Sequence, residues 1–418
     1  MTLSPQYDLR TVSPRDRRAY VTEQLSTIIG RLVMPADTQV ERWWWLLARE
    51  EERESERDAH GNFVTEASQL AALHLLEDPP LHADVLALAR QPRVTCWPSP
   101  FRFAACLTHD VDAVTAHPWR ERLRRLSNPR ISAGWMQRAR WALSAGVHAG
   151  DRREDGPFDD WMAAEARYGF RSTFFVMPES YVCPTVYDHY HWYADPVRHF
   201  GARMNYADAA RQTCTAGWEI GLHGSYASAH DADILRVEKT ALETMLEAEV
   251  VSTRQHYLRF DIALTPRAWS EIGLRADSTM GAVNSIGYRS GLAFPYFWPG
   301  DGDILEVPLS LHDLSIFRAP SRDQKDTLER RLARARALIA RVAAIGGIVT
   351  LSWHTQPDYR GALDAYRVLL RDIAELGGWG CTLGEVNAWW RARRTSVRRQ
   401  FVPAMEETNQ TTEVHHAQ

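Results

Sequence analysis

The 418-residue chain has little of what would mark a secreted, membrane-spanning or nucleic-acid-binding protein. Its five cysteines (Cys96, Cys106, Cys183, Cys214 and Cys381) are odd in number, widely scattered and form no Cys-x-x-Cys pair. That argues against a disulfide framework or a thiolate metal site and fits a reducing compartment. No uninterrupted run of about 18 apolar residues is available to span a bilayer. Met1 to Arg18 alternates polar and charged residues, without the apolar stretch of a secretory signal. The formal net charge of -4 offers no basic surface to nucleic acid or anionic membrane. The expectation is a soluble, cytoplasmic protein.

What is present is ordinary in bulk. An apolar fraction of 45% and a charged fraction of 24% are those of a globular protein. The length accommodates one large domain with an accessory segment, or two domains. Sixteen tryptophans is a high count; aromatic planes line sugar-binding clefts, but a tryptophan is more often core.

Residues 1–97 read as a helical accessory region. Val21 to Val33 is amphipathic, Val40 to Leu47 carries Trp43, Trp44 and Trp45 as packing residues, and Ala67 to Leu88 has helical spacing broken at Pro79-Pro80. From residue 98 to about 395 short apolar runs alternate with helical stretches. Arg102 to Leu107, Ser172 to Met177, Glu219 to Leu222, Ser252 to Leu258, Ile304 to Val307 and Ile348 to Ser352 are predicted strands. Pro157 to Tyr168, Ala207 to Ala216, Asp231 to Glu249 and Thr327 to Ile345 are predicted helices, the last capped by Asp326 and stopped by Gly346-Gly347. This alternation predicts an α/β fold with a parallel sheet, open or closed into a barrel. His117 to Asp155 is a basic insertion, and 396–418 is a polar tail expected to be disordered.

The chemistry gathers where strands end. Thr108-His109-Asp110-Val111-Asp112 follows the apolar run Phe103 to Leu107, and in extended chain residues i and i+2 point the same way. Two carboxylates leaving one buried strand on one face let a metal hold one while the other stays free as a base. A capped turn after a strand is the plainer alternative. Glu219 to Ser225 delivers His223 into a Gly-Ser turn, and Arg254-Gln255-His256-Tyr257-Leu258, Asp277-Ser278-Thr279 and Leu351-Ser352-Trp353-His354 follow at later strand ends. A histidine at one strand end is ordinary hydrogen-bonded structure. Five polar clusters at the carboxyl ends of one repeating architecture are where a barrel keeps its active residues.

The order of these motifs resembles the polysaccharide deacetylase (NodB-homology) superfamily, carbohydrate esterase family four. The likeness covers about residues 100 to 390 and is carried by Leu107 to Asp112, Arg171 to Val176, Glu219 to His223, Arg254 to Tyr257 and Leu351 to His354. It implies a distorted (β/α)7-type barrel and hydrolysis of an N- or O-acyl group from a sugar with one divalent metal, commonly zinc. Asp110 then matches the catalytic base, Asp112 and His223 metal ligands, and Arg254 the residue that contacts the base. Tyr257 matches the residue whose backbone N–H helps stabilise the oxyanion. Asp277 is the acid expected to orient Arg254. His354 matches the general acid, beside a substrate pocket formed by Leu351 and Trp353. The sequence departs from the family in two places. Ala227 stands where the family's second metal histidine lies four residues beyond His223, and His256 replaces the proline of the Arg-x-Pro-Tyr motif.

A metal site needs three protein ligands and an open position. His256 is the first candidate for the third, His230 and Ser228 follow, and a site without a third protein ligand stays open. Asp with two imidazoles suits zinc and tolerates other first-row ions. The expected substrate is a small-molecule, nucleotide-linked or lipid-linked amino sugar. Loss of the second histidine keeps a catalytically silent sugar-binding relative in play, and a reading that keeps the metal but changes the bond, a deformylase or amidase acting on a non-polymeric amide, stands beside it.

Overall fold

A computed structural model of the protein describes residues 9–53, 55–114, 126, 135–147, 156–179, 185–189, 191–300, 303–318, 327–355 and 361–414. The amino-terminal region contains helices α1 (Pro14–Ile29), α2 (Asp37–Leu47), α3 (Gln69–Ala72) and α4 (Leu81–Ala89). Local chemistry sets their ends. Ser13 accepts the Asp16 N–H at 3.1 Å with proline at the first helical position, and Gly30 closes α1 in the left-handed conformation, φ 89°. Trp43 turns inward and donates its indole N–H to Asp84 of α4 at 3.0 Å. Val21, Leu25, Trp43 and Leu47 belong to the same continuous core as barrel residues such as Leu292 and Phe297, so the helices are packed onto the barrel rather than tethered to it.

The remainder alternates strand and helix. In order come β1 (Phe103–Val111), α5 (Trp135–Val147), α6 (Asp159–Ala166), β2 (Thr173–Val176), β3 (Pro196–His199), β4 (Ala202–Asn205), α7 (Tyr206–Thr215), β5 (Glu219–Gly224), α8 (Ala232–Leu246) and β6 (Ser252–Gln255). Then follow α9 (Thr265–Glu271), β7 (Ala276–Asp277), β8 (Tyr296–Phe297), β9 (Leu305–Glu306), β10 (Leu311–His312), α10 (Asp313–Phe317), α11 (Leu328–Ile345), β11 (Ile348–His354), α12 (Ala362–Glu375), β12 (Gly378–Cys381) and α13 (Leu383–Val414). The main sheet runs β10-β11-β1-β2-β5-β6-β7-β9-β8 and is parallel except at β8–β9. Its ends, β10 and β8, do not pair among the described residues, and Arg254 of β6 reaches Thr108 and Asp110 of β1 across the intervening β2 and β5, so the sheet curls into an incomplete barrel. β12 pairs with the amino half of β1 and β2 with the carboxyl half, on the edge of β1 opposite β11. β3 and β4 form a separate hairpin.

Every residue of β1 is buried, as expected for a parallel strand covered on both faces. Its pleat divides the polar side chains. Thr108 and Asp110 turn to the inside of the barrel, whereas His109 turns outward to Glu165 of α6, its Nε2 lying 2.8 Å from the carboxylate. Glu165 also accepts from Ser172, Trp218 and Tyr366, so the buried carboxylate is fully solvated by protein donors.

Several expectations are corrected. α11 is capped by Thr327, whose Oγ accepts the Arg330 N–H at 3.4 Å, while Asp326 lies outside the described residues. The tail read as disordered from residue 396 is helical to Val414, continuing α13, and Arg394 and Arg398 clamp that helix to Glu23 of α1. β7, β8 and β10 are two residues each, too short to display any periodicity. The 117–155 insertion contains α5; residues 117–125, 127–134 and 148–155 lie outside the described residues. No helix among the described residues is long and apolar enough to cross a membrane.

Candidate active site and metal centre

At the carboxyl end of β1, Asp110 is held by the adjacent strand β11 and by β6, three places along the sheet. Arg254 of β6 donates from Nη1 to Asp110 Oδ1 at 2.9 Å, and Ser352 of β11 donates to Oδ2 at 3.1 Å. The guanidinium is itself fixed. Nη1 also reaches Thr108 Oγ (2.7 Å) and Ser352 Oγ (3.0 Å), Nε reaches the Ser278 carbonyl (2.9 Å), Nη2 reaches the Ser278 hydroxyl (3.0 Å), and Phe175 lies beneath it at 4.6 Å. Burial alone pushes the Asp110 carboxyl up, but Arg254 and then His223 outweigh it and bring it down to about 2. Asp110 is an ionised carboxylate whose partners leave lone pairs over.

Asp112, two residues on, faces the same mouth but meets imidazoles instead of a guanidinium. His223 Nε2 stands 3.4 Å and His256 Nε2 3.8 Å from Oδ1, while His354 Nε2 stands 3.5 Å and His189 Nε2 3.7 Å from Oδ2. Oδ1 is sealed from solvent and makes no hydrogen bond among the described residues. Burial raises the Asp112 carboxyl, and His189, His223 and His256 more than offset it, holding it well below the usual range.

These spacings fit a divalent cation. Ligand atoms ~2.0–2.2 Å from a tetrahedral ion stand about 3.4 Å from each other, which is longer than a good hydrogen bond and shorter than an idle contact. One ligand atom from each of Asp112, His223 and His256 falls within 4.8 Å of the others. The outer nitrogen of His223 is held as a metal-ligating histidine requires, and that of His256 faces a carboxylate. His223 Nδ1 donates to the Arg254 carbonyl at 2.8 Å and turns Nε2 toward Asp112; burial lowers this imidazole, but Asp112 and Asp110 raise it above the ordinary histidine value, so an ion there would take the place of the Nε2 proton. His256 Nδ1 faces the Asp188 carboxylate at 3.6 Å, and burial holds its imidazole below the ordinary histidine value, the neutral form a ligand needs. One carboxylate and two imidazoles make a three-ligand nitrogen and oxygen set suited to zinc.

His354 closes the mouth from β11. Both oxygens of Asp313 lie 3.0 Å from its Nδ1, and Asp313 Oδ2 also accepts the His354 backbone N–H at 2.9 Å. Burial would lower this imidazole, yet Asp313 raises it to about 10. A second grouping, Asp110 with His312 and His354, also satisfies the distance test for an ion. Its donors are already engaged: Asp110 takes Arg254 and Ser352, and His312 Nδ1 accepts the Leu314 N–H at 3.1 Å. Its Asp110 and His312 atoms are hydrogen-bonded, which sets it apart from the Asp112 grouping.

Two sequence expectations change, and the runners-up for the third ligand drop out. Asp277 does not orient Arg254: its carboxylate accepts the Thr279 hydroxyl (2.6 Å) and N–H (3.0 Å), and Ser278, on the opposite pleat, holds the guanidinium. Burial of Asp277 together with Glu306 raises both carboxyls above their usual range. Leu351 and Trp353 do not line a substrate pocket, because Ser352 and His354 take the inner pleat of β11. Trp353 points outward, donates to the Ala362 carbonyl at 3.2 Å and packs on Tyr366. His230 is exposed in the turn after His223, and Ser228 donates to the Ser225 carbonyl, so neither joins the Asp112 group. Tyr257 stands beside His256 at the rim in a left-handed conformation, φ 59°, with its carbonyl taken by Asn62 at 2.8 Å.

Sequence reasoning missed His189, Asp188, His312, Asp313, Ser278 and Ser352. Among the described residues no strand immediately precedes Asp188 and His189, and His312 is the second residue of the two-residue strand β10. The dipeptide His312-Asp313 was the one usable signal, an acid next to an imidazole.

No family model and no curated protein matches the chain. Among solved structures it is similar to a putative polysaccharide deacetylase from Mycobacterium smegmatis, at 20% identity and TM-score 0.47, covering 72% of this chain and 94% of that one. It is also similar to Puue allantoinase (16%, TM-score 0.44, 71% and 92%) and to the peptidoglycan deacetylase PdaC from Bacillus subtilis (12%, TM-score 0.34, 71% and 96%).

Proposed function

We propose that the protein is a metal-dependent hydrolase that removes an N-acyl group, N-acetyl foremost, from an amino sugar. Asp112, His223 and His256 would hold one divalent ion, zinc foremost. The observation that supports this reading is the sealed Asp112 Oδ1, which faces two imidazole Nε2 atoms at 3.4 and 3.8 Å and bonds to neither. When bound, the ion supplies a Lewis acid for the acyl carbonyl.

The chain's own residues would do the rest. Asp110, kept ionised by Arg254, takes the proton of the attacking water. The Tyr257 N–H would serve as an oxyanion donor, a contribution of about 2.7–4 kcal/mol in comparable sites. His354, held at Nδ1 by Asp313, gives its Nε2 proton to the departing nitrogen, which as a free amide anion is too basic to leave. A nucleotide-linked or lipid-linked amino sugar met in the cytoplasm is the proposed substrate.

Metal analysis of protein purified without chelator, paired with acetate release from N-acetylglucosamine conjugates, tests the reading. Near-stoichiometric divalent metal with acetate release is expected, and metal-free protein that releases none would overturn it. Ala227, in place of a second histidine in the turn after His223, favours a silent sugar-binding relative, which the same pair of measurements identifies by sugar binding without metal or turnover. Comparing N-formyl with N-acetyl substrates separates deacetylation from deformylation.

A further inference from the structure

The rim of the barrel carries an aromatic corner that the chemistry at Asp110 and Asp112 does not use. Tyr187 and Tyr226 stack with ring centroids 4.4 Å apart, Tyr257 meets Tyr187 edge-on at 5.6 Å, and His60 lies 4.5 Å from Tyr257. Tyr187 and Tyr257 are each 38% exposed. The other two rings are fixed behind them. The Tyr226 hydroxyl is 3.2 Å from His60 Nδ1, and the Arg259 guanidinium lies 4.0 Å over the Tyr226 ring.

The corner is tied to the candidate metal centre through the chain itself. Tyr257 directly follows His256, and Tyr187 precedes Asp188 and His189, so each open ring is one or two residues, at about 3.8 Å per step, from a group facing Asp112 or His256. Tyr226 donates its backbone N–H to Asp188 at 2.7 Å. Tyr257 and Leu258 are both left-handed, φ 59° and 50°, a conformation that side-chain-bearing residues keep only where the surroundings enforce it. The amino-terminal region provides the enforcement. Asn62 donates to the Tyr257 carbonyl at 2.8 Å, Arg259 donates to the His60 carbonyl at 3.1 Å, and Asp58 accepts the His60 and Asn62 N–H groups at 2.8 Å each.

We propose that this corner is a second carbohydrate subsite. It binds the pyranose ring next to the one bearing the acyl group, resting its C–H face on Tyr187 with Tyr257 standing edge-on beside it, and the amino-terminal helical region thereby takes part in substrate recognition. A pyranose offers an apolar face with a hydroxyl rim, which matches open tyrosine rings edged by phenolic oxygens and an imidazole. The proposal deepens the deacylase reading, since it places the reacting ring at Asp112.

Saturation-transfer NMR and steady-state kinetics with N-acetylglucosamine and its β-1,4-linked dimer test it, on wild type, Tyr187→Ala, Tyr187→Phe and His60→Ala, with thermal midpoints as the folding control. In wild type both rings of the dimer receive saturation. In Tyr187→Ala the second ring loses it and KM for the dimer rises about five- to tenfold with kcat little changed, while the monomer is affected less than about twofold. Tyr187→Phe behaves as wild type, and His60→Ala weakens the dimer selectively. Absence of transfer to the second ring in wild type, or equal losses for monomer and dimer, overturns the proposal. Dimer binding that depends on Tyr187, without deacetylation of either sugar, keeps the subsite and removes the deacylase reading.

Discussion

Arg254 binds its two neighbours in the site by different parts of itself: its backbone carbonyl accepts the His223 Nδ1–H at 2.8 Å, and its guanidinium holds Asp110 at 2.9 Å. One residue of β6 thus orients a candidate metal ligand through the main chain and keeps the candidate base ionised through the side chain. Substitution separates the two roles. Arg254→Met should preserve metal content, because the carbonyl remains, and should strand Asp110 as an uncompensated buried charge at a cost of about 3–5 kcal/mol. Metal analysis beside denaturant unfolding checks both halves.

Asp110→Asn should leave metal content intact and lower turnover by about 10²–10⁴-fold, the usual worth of a positioned base. His223→Ala should lose metal and turnover together. Normal turnover by Asp110→Asn would remove Asp110 from the proposed mechanism.

Asp313 touches no atom of the cation site, yet it holds His354 through Nδ1 and the backbone N–H. Asp313→Asn should therefore lower kcat by about 10- to 100-fold with KM and metal content little changed. A variant that fails through KM or metal loss would show that Asp313 acts elsewhere.

His82 provides the pH test of stability. Buried beside Phe294, it accepts the Ala293 N–H at 3.0 Å, and burial lowers its imidazole to about 3 from an ordinary 6.5. Below pH 6.5 the unfolded chain binds a proton that the folded chain refuses, so this contribution is full above 6.5 and is lost as pH falls toward 3. The loss amounts to about 1.4 kcal/mol per pH unit. His82→Gln keeps an acceptor without titrating, so the stability difference between pH 7 and pH 5.5 should shrink by about that amount. An unchanged pH dependence sinks the assignment.

Trp353 is expected to matter to folding and not to substrate. Trp353→Phe removes the indole bond to Ala362 and should cost about 1 kcal/mol or somewhat more, with KM unchanged. A selective rise in KM would return Trp353 to the pocket.

How much was legible divides by element. The alternation of apolar runs with amphipathic stretches located β1, β2, β5, β6, β9 and β11 and the helices α6, α7, α8 and α11, because burial against a layer imposes periodicity over a full element. Asp110 and Asp112 were readable as a pair because parity within one extended segment is local. Parity in β11 was not: with six of its seven residues buried, nothing in the pattern says whether Leu351 or Ser352 faces inward. The same blindness misassigned Asp277 over Ser278.

The amino-acid sequence by itself determined which strands end in acids, imidazoles and a guanidinium, since those side chains and their order along the chain are local facts. Only the tertiary structure decided that His256, not His230, stands 3.8 Å from Asp112, that His189 joins it, that Asp313 orients His354, and that His60 and Asn62 reach the rim. Each of these is a distance between segments far apart in the chain, and the curl of the sheet and the packing of the amino-terminal layer set such distances, not any residue's own neighbours.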